Sequence, residues 1–269
     1  MSNDHEKKDL IMALASYYSW EDLKPFFLSL EKTGYDGDVV LFIDHIDEYT
    51  QMKLTNLNIN MILIPYQLTG LLNVFHMPDY RYYLYLNYLE SNNYRYKNVL
   101  LTDVRDVYFQ VNPSQVPWAV GCITVAKEAV KIKDEFWNTR WILTKFGHHV
   151  YSQLEEETVI CSGTNFGPVD QIVSYLKEMV HYLFFIDYYR VIVNDQAVHN
   201  YLVHTKKISP IAFADNEIGP IMTLSFENDA NIKMNEHHQI LLKNGTVAPI
   251  LHQYDRKPNL VSLIRNSIH

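Results

Sequence analysis

Apolar residues along this chain fall into short runs of strand length that alternate with stretches of helical spacing. Asp9 to Ala15, DLIMALA, is an apolar run suited to a buried strand, and Trp20 to Leu30 carries apolar side chains at helical intervals behind Ser19, a favoured N-cap residue. Turn chemistry at Gly34-Tyr35-Asp36-Gly37 leads into a second run, Asp38 to Ile43, that ends at Asp44. A third strand is expected over Ile59 to Ile64, stopped by Pro65, and a helix over Pro78 to Leu89, whose aromatic and leucine positions form a broad apolar face. Asn98 to Thr102 supplies the next strand. This alternation predicts an α/β fold in which helices flank a mostly parallel central sheet within a single domain, residues 1–269.

The strand over Asn98 to Thr102 runs directly into Asp103-Val104-Arg105-Asp106-Val107-Tyr108-Phe109-Gln110. In a mainly parallel sheet, ligands gather outside the carboxyl ends of the strands, so acids placed there face a site. Two carboxylates three residues apart can converge on one hard cation and leave positions for water or phosphate oxygens, an arrangement that anchors a diphosphate. The same letters fit a turn that Asp103 caps while Asp106 pairs with Arg105 or solvent.

Composition narrows the field. With 23 Lys+Arg against 31 Asp+Glu and a formal net charge of -8, the chain has no basic field for a nucleic-acid backbone or an anionic membrane surface. Two cysteines, Cys122 and Cys161, exclude a disulfide framework and a four-cysteine zinc site. No apolar stretch approaches the ~20 residues of a spanning helix and no signal-peptide pattern opens the chain, so a cytoplasmic protein is expected. Asn244-Gly245-Thr246 has the letters of a glycosylation sequon and is read as a turn.

DVRDVYFQ after NVLLT resembles the D-x-D or D-x-x-D segment of glycosyltransferases with the GT-A fold, and three more pieces follow in that superfamily's order. Cys161-Ser162-Gly163-Thr164-Asn165-Phe166-Gly167 resembles the turn that precedes a helix beside the donor sugar. Asn194-Asp195-Gln196 resembles the segment that opens the next helix, and Leu251-His252-Gln253-Tyr254 resembles the late histidine of the metal site. The set is similar to procollagen glucosyltransferase and glycogenin-like domains over roughly residues 9 to 258. It departs from their pattern at Cys161, where asparagine is common, and at Arg105, inside the acidic motif.

The resemblance implies a GT-A-like (Rossmann-like) domain with a nucleotide-binding half at about 9–110 and an acceptor half at about 111–258. Asp103, Asp106 and His252 become the metal ligands, and the imidazole favours Mn2+ over Mg2+. Without the resemblance, His252 reads as an exposed loop histidine or a helix-cap donor in preference to a ligand; with it, the two readings are even. His148, His149, His237 and His238 read as surface residues. Ala13, Ala15, Ser16 and Tyr17 end the first strand, where the resemblance places the base and ribose, although alanines in a tightly packed strand explain the same letters. Arg81 becomes a nucleotide contact or a helix-surface charge. Arg105, Arg256 and Lys257 become diphosphate contacts or solvated charges, and Gly163 lies beside the donor sugar.

Asp195 and Gln196 follow the β-branched run Val191-Ile192-Val193 and become catalytic residues, with N-capping as the conservative reading. Asp195 near the acceptor would act as a general base with inversion; on donor hydroxyls, it favours retention, toward which the Asp-Gln pair leans. Trp137 and Trp141, at i and i+4, fit a packed core better than sugar platforms.

The expected activity is metal-dependent transfer of a sugar from a nucleotide donor, UDP-linked, to an acceptor hydroxyl on a glycan. Nucleotide-sugar synthesis is a weaker alternative, because Ala13 to Tyr18 lacks the Gly-rich basic loop that grips a triphosphate. An inactive carbohydrate-binding module of the same fold is the second alternative.

Overall fold

The computed structural model describes residues 7–67, 76–184 and 194–267. In chain order the elements are β1 (Lys8–Ser16), α1 (Trp20–Lys32), β2 (Asp38–Asp44), α2 (Glu48–Thr55), β3 (Asn60–Pro65), α3 (Met77–Asn92), β4 (Tyr96–Thr102) and β5 (Val107–Phe109). Then follow β6 (Ile123–Lys131), α4 (Phe136–Leu154), β7 (Thr158–Pro168), α5 (Val169–Phe184), α6 (Asp195–His204), β8 (Ile211–Ala214) and β9 (Ile221–Thr223). β10 (Lys233–Met234), β11 (Ile240–Leu241), β12 (Ile250–His252) and α7 (Pro258–Ser267) complete the chain. The run Val191 to Val193 lies outside the described residues.

Seven strands form the central sheet in the order β3-β2-β1-β4-β7-β6-β8. β7 alone runs against its neighbours β4 and β6; the remaining pairs are parallel. This is a Rossmann-like α/β sheet with helices on both faces, as the alternating pattern predicts. β1 is apolar throughout because both of its faces are covered. Leu10, Met12 and Leu14 pack into a cluster with residues of α3, α5 and α6, whereas Ile11, Ala13 and Ala15 pack into the cluster that includes α1. Side-chain alternation along a strand enforces that division.

α1 starts at Ser19 as the sequence suggests: Asp22 accepts hydrogen bonds from the Ser19 backbone N–H at 2.9 Å and from its hydroxyl at 2.7 Å. Cys161 to Gly167 differs from the turn expected there. It lies within β7 and pairs with β4 on one side and β6 on the other. The small and polar letters that suggest a turn are accommodated because this strand carries site residues, as described below. α5 follows β7 immediately.

A smaller sheet, β5-β12-β9, packs beside the first, with β12 antiparallel to β5 and parallel to β9. Asn244 accepts from the Thr246 backbone N–H at 2.9 Å and its hydroxyl at 2.7 Å, closing the turn read from Asn244-Gly245-Thr246. Among the described residues, no helix is long and apolar enough to cross a membrane.

Candidate functional site

β4 ends at Thr102, so Asp103 leaves the sheet at the carboxyl edge, and Asp106 follows just before β5. The register of β12 on β5 sets His252 opposite Val107, next to Asp106. One donor atom from each of Asp103, Asp106 and His252 lies within 4.8 Å of the others. His252 Nε2 is 3.3 Å from Asp103 Oδ2 and 3.7 Å from Asp106 Oδ1. Neither approach has hydrogen-bond geometry, and Nε2 is buried without a hydrogen-bond partner.

The other ring nitrogen is engaged. His252 Nδ1 lies 3.2 Å from Thr164 Oγ1 and 3.6 Å from Cys161 Sγ, both on β7. Holding a histidine through one nitrogen fixes the direction of the second, as outer partners do at metal centres. His252 is 1% exposed, so an unpartnered Nε2 facing two carboxylates is costly unless positive charge lies among them. Two carboxylate oxygens and an imidazole nitrogen fit a divalent cation.

The electrostatics agree. Burial would raise the Asp103 carboxyl, but the Arg81 guanidinium and His252 overcome it and hold Asp103 well below its ordinary value. Burial raises Asp106 despite His252, and the neighbouring Asp103 charge adds to the rise. Burial disfavours charge on His252, yet this residue is raised well above its ordinary value by Cys161, Asp103 and Asp106. The Cys161 thiol is itself pushed up to about 11 by burial and is neutral near pH 7, so the two carboxylates account for the attraction. The cluster favours a cation.

Gly163 is part of this geometry. Its carbonyl accepts the Asp103 backbone N–H at 2.7 Å, and a Cβ on it would lie 2.3 Å from Asp103 Oδ2 and 2.6 Å from His252 Cε1. Only a residue without a side chain lets β7 pass this close to the ligand cluster.

Arg81, on α3, ties the cluster to α6. Its guanidinium donates to Asp103 Oδ1, on the side away from His252, and to Asp195 Oδ2 at 2.9 Å. Asp195 also accepts from the Ser162 hydroxyl at 3.2 Å. Gln196 accepts the Ser162 backbone N–H at 2.8 Å and donates to the Ile160 carbonyl at 3.0 Å, fastening the start of α6 to β7.

Two carboxylates cap this helix start, one local and one from α3: Asp195 Oδ1 accepts the Gln196 backbone N–H at 2.8 Å. Asp79 Oδ1 accepts the backbone N–H groups of Asn194 and Asp195 at 2.9 and 2.8 Å. Burial and the nearby Asp195 charge push Asp79 up to about 7 from 3.8. A raised folded value means that the native state binds the extra proton. The stability it contributes is complete below about pH 4 and is lost as pH rises through about 7. Asp79→Asn retains an acceptor for both amides without titrating. Melting curves from pH 4 to 7 should therefore fall less steeply for the variant than for the parent; identical slopes would contradict this role for Asp79.

These residues surround a cleft of about 600 Å³. Asp103, Asp106, Arg81, Arg105, Gly163, Asp195 and Gln196 all line it, with His252 buried behind them. The nucleotide positions suggested for the end of the first strand differ from this arrangement. Leu14 and Tyr18 face the cleft, while alternation turns Ala13 and Ala15 into the α1-side core. Ser16 donates to Asp44 at 3.2 Å, and Tyr17, 72% exposed, stacks on His45 at 4.2 Å; neither lines the cleft.

The basic residues also separate. Lys257 is held outside the cleft by the Glu227 carbonyl and by Asp229, both at 2.7 Å, whereas its neighbour Arg256 lines it. Arg105 lines the cleft and pairs with Asp255 at 3.1 Å. Both Trp137 and Trp141 line the cleft, but they divide on the core expectation: Trp137 is 52% exposed, whereas Trp141 is partly buried and packs against the core cluster of Ile132, Ile142 and Leu154. His148, His149, His237 and His238 are exposed, as expected.

Glu128, Asn138 and Gln253 line the cleft without having been singled out in the sequence. Gln253 follows His252 directly, a local signal that could have found it; Glu128 and Asn138 carry none. No known protein-family model matches the chain, and no curated protein is significantly similar to it in sequence.

Proposed function

We propose that this protein is a metal-dependent glycosyltransferase that moves a sugar from a nucleotide donor, a UDP-sugar, to an acceptor hydroxyl on a glycan. One observation carries the reading: Asp103 and Asp106, from the turn after β4, and His252, from β12, approach within 4.8 Å at a cleft on the carboxyl edge of the sheet. A divalent cation held there, Mn2+ in preference to Mg2+, would supply the positive charge that stabilises a departing nucleoside diphosphate.

The surrounding residues have roles consistent with that chemistry. Asp103 and Asp106 offer carboxylate oxygens and His252 offers Nε2, with Thr164 holding the ring. Arg81 keeps Asp103 ionised and fixes Asp195. Arg105 and Arg256, both paired with Asp255 at the cleft, offer positive charge for phosphate oxygens. Leu14 and Tyr18, instead of the two alanines, border the place for the base. Asp195 and Gln196 are fixed at the cleft wall where a donor sugar would lie, and in that position hydrogen bonds to sugar hydroxyls favour retention of configuration.

The test is a melting-point panel of nucleoside diphosphates with and without Mn2+, followed by donor hydrolysis. At 100 times its Kd, UDP binding only the native state adds about 2.7 kcal/mol, or roughly 5–10 °C for a chain of this size. The expected result is a UDP shift that requires Mn2+, with Mn2+-dependent release of UDP from a UDP-sugar. Pyrophosphate release from UTP and a sugar phosphate would overturn the proposal in favour of nucleotide-sugar synthesis. Saccharide binding without nucleotide turnover would favour a binding module.

A further inference from the structure

The strand order β1-β4-β7-β6 also orders the cleft. Leu14 comes from β1, Asp103 from the end of β4, Gly163 from β7 and Glu128 from β6. Neighbouring strands are about 4.8 Å apart, which separates the β1 and β6 sides by roughly 14 Å, with the ligand cluster between them. Under the transferase reading, the donor base belongs at β1 and the diphosphate at β4. The β6 side then lies beyond the sugar being transferred.

Aromatic and polar groups meet on that side. Trp137, at the start of α4, keeps half of its surface exposed although its centroid lies 6.0 Å from that of Trp141 and 5.2 Å from the Phe136 ring. Asn138 is 4% exposed; its amide nitrogen donates to Glu135 at 2.8 Å, and its Oδ1 has no partner. Gln253 donates its amide nitrogen to Glu128 at 3.3 Å and to Cys161 at 3.7 Å, and its Oε1 has no partner. Buried acceptors are ordinarily satisfied, so two orphans on one cleft wall call for donors from outside the chain.

An indole face flanked by unpaired acceptors and the Glu128 carboxylate matches a neutral pyranose. The C–H face of the ring packs on the aromatic surface, and its hydroxyls donate to the oxygens. Glu128 and Glu135 would repel an anionic group at the two acceptors, while Arg140 lies at the platform itself, 5.9 Å from the Trp137 ring centroid.

We infer that this wall is the acceptor subsite and binds a neutral pyranose of a glycan, with Trp137 as platform and Asn138 Oδ1 and Gln253 Oε1 as hydroxyl acceptors. Its role as an acceptor site rests on the transferase reading, but sugar binding can be measured separately.

The test titrates the full chain with maltotriose, cellotriose, mannotriose and galactobiose while following tryptophan emission, and measures the UDP–Mn2+ melting shift on the same preparations. A saturable change is expected with at least one sugar. Trp137→Ala should weaken binding about tenfold or more, and Trp137→Phe much less, with the UDP–Mn2+ shift unchanged in both. A failure of all four sugars to change the emission, or equal affinity in Trp137→Ala, overturns the subsite; an intact nucleotide shift then leaves the transferase reading standing. Sugar binding without any UDP–Mn2+ shift supports the platform and overturns the donor half of the transferase.

Discussion

Asp106→Asn is expected to lose the Mn2+-dependent UDP shift while melting no lower than the parent in the absence of metal and nucleotide. Residues that only orient metal ligands change affinity by about 10–100-fold, so removing a charged ligand should cost about 100-fold or more in Mn2+ affinity. Stability should move the other way. Asp106 is 8% exposed and its carboxyl is raised by burial and by Asp103, so the folded chain holds that charge at a cost. Asparagine has nearly the same shape and no charge. Isothermal titration of Mn2+ and a melting curve of the metal-free variant check both halves. Retention of the full shift would remove Asp106 from the site.

Gly163→Ala should damage stability and metal binding together. The added Cβ would lie 2.3 Å from Asp103 Oδ2 and 2.6 Å from His252 Cε1, closer than packed atoms tolerate. Either β7 shifts away from β4 or the two ligands turn aside. Overpacking of this kind costs about 1–3 kcal/mol, and displacement of two ligands should remove measurable Mn2+ binding. Gly167, four residues along the same strand, is the control: a Cβ there meets its nearest atoms at 3.3 Å. Gly167→Ala should cost less and leave Mn2+ affinity near that of the parent. Comparable loss in both variants, judged by urea melts and Mn2+ titration, would show that β7 is merely intolerant of side chains.

Four strands and two helices of the first half were legible because buried parallel strands are apolar on both faces and helices repeat on their own period; α2, which buries Thr50 and Leu54, carries no such pattern and was missed. Asp38 to Ile43 and Asn98 to Thr102 carry that signal in nearly every residue. Position at the carboxyl edge of the sheet drew notice to the acidic pair but left a capped turn as open as a cation site; the motifs farther along the chain, not this segment, singled it out. β7 was misread because glycine, serine and asparagine are turn letters; Gly163 is there because the ligand cluster leaves no room for a side chain. Ala13 and Ala15 stayed open between a base contact and a tightly packed strand because their run is apolar throughout and gives no alternation from which to read direction; both lie in the α1-side core.

Other parts left no local trace. Asp79 caps a helix that begins at residue 195, and Arg81 joins Asp103 to Asp195; both relations arise only once α3 packs against α5 and α5 against α6. Trp137 and Trp141 have the spacing of a buried helical pair. At the start of α4 that same spacing turns them toward the cleft, a placement that helical period does not encode. Lys257 follows Arg256 in a basic doublet, and only the position of Asp229 shows which of the two is taken out of the cleft.

The proposed centre depends on a single imidazole sharing one cation with two carboxylates. Pulsed electron paramagnetic resonance of the Mn2+-loaded protein tests this directly, because a nitrogen bound to Mn2+ modulates the electron spin echo. Modulation from one coordinated imidazole is expected, absent from His252→Ala and restored by no other histidine. Mn2+ bound without nitrogen modulation, or with modulation that survives in His252→Ala, would contradict the proposed centre.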